Sequence, residues 1–409
     1  MIKVCDAIMG QGKTSGTIDF INSHPDRRFI YITPYLEEAA RIKAECPMAH
    51  FVEPSNRLPQ HGFRKLSHTA CLIKEGRNVT TTHQAFKWYT RDMLDDIRDK
   101  HYTLIVDENV DVLEPTEFHP DDLAMAVEEG YVDQHGDTYV LGQRPYYGTA
   151  LRDLITWLKS REIVRVRKAD SEVLYFWLFP PDFIKAFDDV FILTYMFEGQ
   201  GLHHFLKIYD IPYTNIGVQC EEDGVYRFTD SPGQTPSYTR TLKDRVHIEM
   251  SNKLNSIGED KTALSKNWFD SHPDAVPQLK NNVYNYFVNL HRDIPADRRL
   301  WATFKVDYPR LKGKGYSRSY LTFNAKAMNT YRDRNCLVYA CNVFMNVNEK
   351  AFYKAHGIDV DEDAYALSIL VQWIWRSSIR DGEDVYIYVP SRRMRTLLID
   401  WIEEVSAIA

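Results

Sequence analysis

The residues best placed to do chemistry come almost at once. Ala7-Ile-Met-Gly-Gln-Gly-Lys-Thr has the form A-x-x-x-x-G-K-T, the phosphate-loop pattern with alanine in place of its first glycine. Each residue type has a task on a nucleoside triphosphate. Gly10 and Gly12 let backbone N–H groups turn inward around phosphates. Lys13 brings a mobile cation to the β- and γ-phosphates, and Thr14 offers a hydroxyl to Mg²⁺. The candidate nucleotide contacts thus run through Gly10, Gln11, Gly12, Lys13, Thr14 and Ser15. The bland alternative is a chance G-x-G-K-T turn. An apolar strand before the motif and a helical stretch after it favour the loop, with the helix N-terminus aimed at the anion. ATP and Mg²⁺ are the cofactors this implies.

The second element is Tyr102-Thr-Leu-Ile-Val-Asp-Glu. An apolar strand here delivers adjacent carboxylates to the end of a parallel sheet, where ligands bind in α/β folds. Asp107 would hold Mg²⁺ through water, and Glu108 would orient or activate the attacking water. The alternative is an acidic pair that caps the following segment.

These groups need strands and helices to position them. Met1 to Asp6, Arg28 to Thr33, Asn78 to Thr82, His101 to Val106 and Val190 to Tyr195 read as strands. Helices are expected from Lys13, from Pro34 through Cys46, and around Phe86, Trp88 and Tyr89. Such alternation implies a parallel sheet covered on both faces. The pattern breaks between about 115 and 189, which is expected to be an insertion containing a helix from Leu151 to Lys159. Further strands are expected at Leu300–Val306, Ser319–Phe323, Asn335–Tyr339 and Asp384–Val389. A long helix is expected from Glu362 to about Ser378, and a terminal one after Ser391. The fold class expected is α/β, with two domains at 1–200 and 201–409, the first carrying the insertion.

Bulk properties narrow the class. The 409 residues are enough for two ordinary domains, and 44% hydrophobic with 26% charged residues is a globular composition. No run approaches the ~20 apolar residues of a membrane span, and the first residues lack signal-peptide character, so a cytoplasmic location without a membrane partner is expected. Six cysteines without a C-x-x-C pair, and no H-E-x-x-H, argue against a zinc ribbon or a disulfide framework. A net charge of −7 speaks against a surface that coats nucleic acid throughout, but not against a local groove.

Taken in order, the motifs resemble those of superfamily 2 helicases of the DEAD/DEAH type. The phosphate loop and Asp107-Glu108 resemble motifs I and II. Ile32-Thr-Pro-Tyr resembles motif Ia, Thr80-Thr-Thr-His-Gln-Ala-Phe the segment before motif II, and Leu193-Thr-Tyr-Met-Phe motif III. Gln372-Trp-Ile-Trp-Arg-Ser-Ser-Ile-Arg is similar to motif VI. The resemblance implies two RecA-like P-loop NTPase domains. It adds Gln372, Arg376 and Arg380 to the catalytic set of Lys13, Asp107 and Glu108, with Arg376 and Arg380 as candidate arginine fingers. This sequence departs from the family pattern in having Trp375 for the usual glycine and an arginine spacing of four rather than three. Otherwise, Gln372, Arg376 and Arg380 at i, i+4 and i+8 are simply one solvated helix face.

A motor of this kind tracks a phosphate backbone. The best basic-aromatic stretch is Tyr308–Tyr320, where Arg310, Lys312, Lys314 and Arg318 are candidate phosphate contacts and Tyr316 or Tyr320 a candidate base stack. Arg392, Arg393 and Arg395 form a weaker candidate. The alternative for the first stretch is a soluble glycine-containing loop. The function expected is an ATP-dependent helicase or translocase, phage-encoded and acting in replication or recombination. Nucleic acid is its partner, DNA ahead of RNA, alongside other replication proteins. Two competitors are an ATP-switched loader or regulatory protein and a packaging-type ATPase joined to a nuclease.

Overall fold

Apolar runs with β-branched and aromatic residues make the strands of the first sheet. In the computed structural model, which describes residues 1–116, 118–168, 172–233, 235–325 and 330–408, they are β1 (Ile2–Asp6), β2 (Arg28–Thr33), β3 (Val79–Thr82) and β4 (Tyr102–Asp107). β10 (Asp189–Thr194), β11 (Tyr213–Cys220) and β12 (Tyr226–Thr229) complete it. The order is β12-β11-β1-β10-β4-β2-β3, parallel except for β12. Every residue of β4 is buried, as a strand covered on both faces requires.

Residues 113–178 leave this sheet and build another. β5 (Leu113–Pro115), β6 (Val132–His135), β7 (Thr138–Leu141), β8 (Glu162–Arg167) and β9 (Val173–Leu178) form an antiparallel sheet in the order β5-β9-β8-β7-β6. Strand alternation sends Tyr139, Ile163 and Trp177 into a core with Leu123, Leu154 and Leu158 from the helices Pro120–Glu128 and Arg152–Leu158. Phe176 meets Phe352 of the helix Val347–Ala355, with ring centroids 5.3 Å apart. That helix comes from far along the chain.

The chain divides into two compact units: Met1–Ala7, Gly12–Gly233 and Asn346–Val360 in one, Ile8–Gln11, Gln234–Met345 and Asp361–Ala409 in the other. The expected change of domain at residue 200 lies inside the first unit, because β11 pairs with β1 and β12 with β11. The second unit holds a parallel sheet, β13 (Val246–Ile248), β14 (Arg299–Ala302), β15 (Cys336–Tyr339) and β16 (Val385–Tyr388), in the order β13-β16-β15-β14. Its core gathers Phe269, Leu279, Phe287, Trp301, Val338 and Tyr388. The expected α/β class with parallel sheets and an insertion is what the chain forms. Some elements differ. Ser319–Phe323 is no strand and makes a single bridge, Tyr320 to Trp301. Trp88 and Tyr89 lie beyond a helix that ends at Phe86. No helix among the described residues is long and apolar enough to cross a membrane.

Candidate nucleotide site

Register brings the chemical groups of the first unit to one edge. Asp6 lies level with Thr194, Leu193 with Asp107, Ile32 with Val106, and Thr33 with Thr82. All these strands end at the same edge, where ligands bind in parallel α/β sheets. β10 stands between the phosphate-loop strand β1 and the acid-bearing strand β4.

Beyond β1 the loop turns through two left-handed residues, Gly10 at φ 88° and Gly12 at φ 94°, and opens the helix α1, Lys13–Asn22. A Cβ at residue 12 would also fall 2.1 Å from the Tyr226 ring, so backbone angle and packing both demand glycine there. No side chain caps α1 and its first turn holds no acid, which leaves its N-terminal dipole for an incoming anion. Gln11, Lys13, Thr14 and Ser15 are half-buried around this turn. The Lys13 ammonium donates to the Ala7 carbonyl. Burial lowers its pKa, against the opposing pull of Cys5, Asp107, Asp6 and Glu108.

Asp107 is 9% exposed and accepts from the Tyr31 hydroxyl at 3.0 Å. Burial, with Glu108 adding to it, pushes its carboxyl up to about 7, although the Tyr31 bond and Lys13 act the other way. His83 Nε2 lies 2.8 Å from the Asp107 carbonyl. Glu108 takes a left-handed φ of 64° while its N–H donates to the Leu193 carbonyl at 2.9 Å, a backbone cost that aims the side chain off the strand line. Asp6 accepts from the N–H groups of Met196 and Phe197 at 2.8 and 2.9 Å and so holds the turn after β10. There the Gln200 amide bonds the Thr194 hydroxyl and the Tyr195 carbonyl, both at 2.8 Å.

The residues fit a magnesium nucleotide. Two left-handed glycines and an uncapped helix offer an anion cradle, and a buried carboxylate pushed to about 7 gains most from a bound cation. Lys13, Thr14, Asp107 and Glu108 are assembled on this edge. Asp6, Tyr31 and Gln200, which hold them or their loops, were not singled out in the sequence, whereas His83 falls in the segment Thr80–Phe86 that was. Tyr31 is a hydroxyl inside the apolar run of β2, and Asp6 closes β1.

In the second unit Gln372 lies on the helix Glu362–Ile374. The helix ends at Ile374, with Trp375 as C-cap, short of the expected end near Ser378, so the alternative reading of Gln372, Arg376 and Arg380 as one solvated helix face does not hold. Arg376 is half-buried beyond the end, and Arg380 is exposed in the 3-10 turn Ser378–Asp381. Along 308–320, Lys312, Lys314 and Arg318 are exposed, while Arg310 is held by Asp307 and the Phe269 carbonyl, both at 2.8 Å. The base stack expected of Tyr316 or Tyr320 is ruled out at Tyr316, and Tyr320 is half-buried. Tyr316 is 1% exposed with its hydroxyl on the Leu311 carbonyl, and the Tyr320 hydroxyl donates to the Thr303 carbonyl. Arg395 is likewise buried and the Arg393 side chain largely covered: Arg393 bonds Asp363 and the Val343 carbonyl, Arg395 Asn255 and the Val389 carbonyl. Of the three arginines, Arg392 alone is exposed.

Residues 240–402 match the family described as the YonV C-terminal Rossmann-like domain. Over 411 aligned positions the chain is 35% identical to the SPbeta prophage-derived uncharacterized protein YonV of Bacillus subtilis (strain 168), covering 98% of each. Among solved structures it is similar to S. tokodaii Xpd4, with 10% identity, a TM-score of 0.47, and 98% and 94% of the two chains covered. It is also similar to a DEAD box protein from the hyperthermophile Methanococcus jannaschii, with 12% identity, a TM-score of 0.27, and 100% and 86% covered. The architecture itself rests on the strand order described above.

Proposed function

The chain belongs to the YonV family, and from its nucleotide site we propose that it is an ATP-hydrolysing motor of the helicase type, moving along nucleic acid. One observation carries the reading. A glycine-turned phosphate loop and a carboxylate pair end on one sheet edge, with the Thr194 strand between them. A kinase or simple nucleotide-binding module has no need of a second α/β unit bearing Gln372, Arg376 and Arg380. The prophage origin of the Bacillus relative supports a role in phage DNA replication or recombination, with DNA ahead of RNA as the track.

Gly10, Gln11, Gly12 and Ser15 would hold the phosphates through backbone N–H groups, and Thr14 and Asp107 would hold Mg²⁺. The metal, when bound, supplies charge neutralisation on the β- and γ-phosphates. Lys13 leaves the Ala7 carbonyl to add a second cation. Glu108 orients water and takes its proton. Thr194, tied through Gln200 to its turn, lies on the strand adjoining both motifs and is suited to relay the state of the site. Arg376 or Arg380 would stabilise charge on the transferred phosphoryl group.

The test is the rate of phosphate release with and without single-stranded DNA, duplex DNA and RNA, beside Lys13→Ala. Stimulation by one nucleic acid, lost in the variant, supports the motor and names its track. A slow rate indifferent to every nucleic acid rejects the motor and favours an ATP-switched loader.

A further inference from the structure

The chain between β2 and β3 carries a turn that the nucleotide site does not use. Val52 pairs in parallel with Val79, its N–H donating to the Asn78 carbonyl and its carbonyl accepting from Thr80. The backbone therefore leaves Val52 in the direction of β3, toward the edge that bears Thr82 and Asp107. Its base is pinned. Lys65 pairs with Glu53 at 3.4 Å, the Ser55 N–H donates to His68 Nδ1 at 2.9 Å, and His68 stacks on His61 at 4.7 Å.

The tip behaves differently. After the short turn Pro59–His61 come two left-handed residues, Gly62 at φ 60° and Phe63 at φ 56°. Phe63 is 62% exposed. A phenylalanine in this conformation pays a backbone cost that glycine avoids, and its ring recovers nothing by burial. Arg57 and Arg64 flank it, both exposed, and neither makes an ion pair among the described residues. In a chain of net charge −7, this is a local cationic spot built around an exposed ring.

We propose that the turn 56–65 is a contact for single-stranded nucleic acid, in which Phe63 stacks on an unpaired base and Arg57 and Arg64 hold the flanking phosphates. The proposal rests on the motor reading and gives it a track-binding element in the first unit. Charge decides the occupant: two uncompensated guanidinium groups beside an aromatic face suit a polyanion with exposed bases. An apolar protein partner would leave both cations unanswered.

The experiment is fluorescence anisotropy of short labelled single strands, DNA and RNA of matched sequence, across a salt series. It compares the full chain with Phe63→Ala, Phe63→Gly and the double variant Arg57→Ala/Arg64→Ala. Loss of the stack should weaken binding roughly 5- to 150-fold. Loss of the two arginines should reduce the slope of log affinity against log salt by about 1.4. Phe63→Gly suits the left-handed backbone, so it should keep or raise the melting temperature while it loses affinity. Hydrolysis without nucleic acid should be unchanged in all three. Wild-type protein that binds a strand as tightly as every variant does overturns this contact and leaves the motor standing. Wild-type protein that binds no strand and gains no ATPase stimulation overturns both.

Discussion

Replacing Glu349 by glutamine should stabilise the protein at pH 8 and do so by only about a quarter as much at pH 5. Glu349 lies on the helix Val347–Ala355, whose neighbours include β5 and β8 of the insertion sheet. Burial is the main reason its carboxyl is pushed up to about 7, and the charges of Asp111 and Glu114 add to the effect. The nearby cations are already engaged: Lys87 with Asp111 at 3.2 Å and Glu114 at 2.5 Å, Arg161 with Glu114 at 2.7 Å. A folded-state value of about 7 against an ordinary 4.5 means that the unfolded chain releases this proton first as pH rises. Stability therefore falls between those two values and levels off above the upper one. The full difference is about 3 kcal/mol. Glu349 is partly exposed, and water and side-chain movement will screen some of that, so about 1–2 kcal/mol is expected. Thermal and urea melts of both proteins at pH 5 and pH 8 read it directly. A shift of equal size at both pH values, or a loss at pH 8, would refute the reasoning, since either would mean that Glu349 is not the buried, like-charged carboxyl described. Asp111→Asn, which removes one of the neighbouring charges, should reduce the gain.

Three further substitutions test other parts of the structure. Gly12→Ala meets both the left-handed φ of 94° and the Tyr226 ring, so binding of a fluorescent ATP analogue should be lost; adding Tyr226→Ala relieves the ring but not the backbone and should restore little. Gly258→Ala would place a Cβ 1.9 Å from the Pro390 carbonyl oxygen, so backbone must move and the melting transition should fall by an amount worth about 2–3 kcal/mol. Arg393→Ala removes bonds to Asp363, Asn342, Val343 and Glu362 from a side chain that is 7% exposed, and should cost about 3 kcal/mol in a urea melt. Oligonucleotide affinity of the folded fraction should be unaffected, because that guanidinium is spent inside the protein.

The elements that sequence pattern made legible are those whose signal is local. A glycine-rich motif between an apolar strand and a helix needs only its own neighbourhood, and β1, the loop and α1 lie as expected. β4, a run apolar but for Thr103 and ended by two acids, is equally self-contained. Helix ends were less legible than helix starts. Gln372, Arg376 and Arg380 share a face only if the helix persists, and it stops at Ile374. In 308–320 the basic and aromatic residues alternate as a binding strip would. Yet Tyr316 reaches the Leu311 carbonyl and the Trp301 indole N–H reaches the Tyr316 carbonyl, so these aromatic residues serve the core. Periodicity cannot separate an aromatic that stacks on a ligand from one that fills a core.

Long-range pairing explains the rest. Asp6 is legible as the last residue of a strand, but its partners, the N–H groups of Met196 and Phe197, come only from the register of β1 against β10. Tyr31 reaches Asp107 because β2 lies beside β4, a neighbour that no local window contains. The segment Asn346–Val360 is the extreme case. By sequence it sits between β15 and the helix that carries Gln372, both in the second unit, and its composition marks no boundary. It nevertheless belongs to the first unit, where Phe352 packs on Phe176 and Tyr353 on His204. The chain thus passes between units on either side of this segment. Deleting it would take Phe352 away from Phe176, which is level with Val164 on the face opposite Ile163 and Trp177. An insertion with one apolar face would show polar residues at those positions. β9 is apolar on both faces, Val173, Tyr175 and Trp177 on one and Leu174, Phe176 and Leu178 on the other, and that is the signal that a further element must cover it.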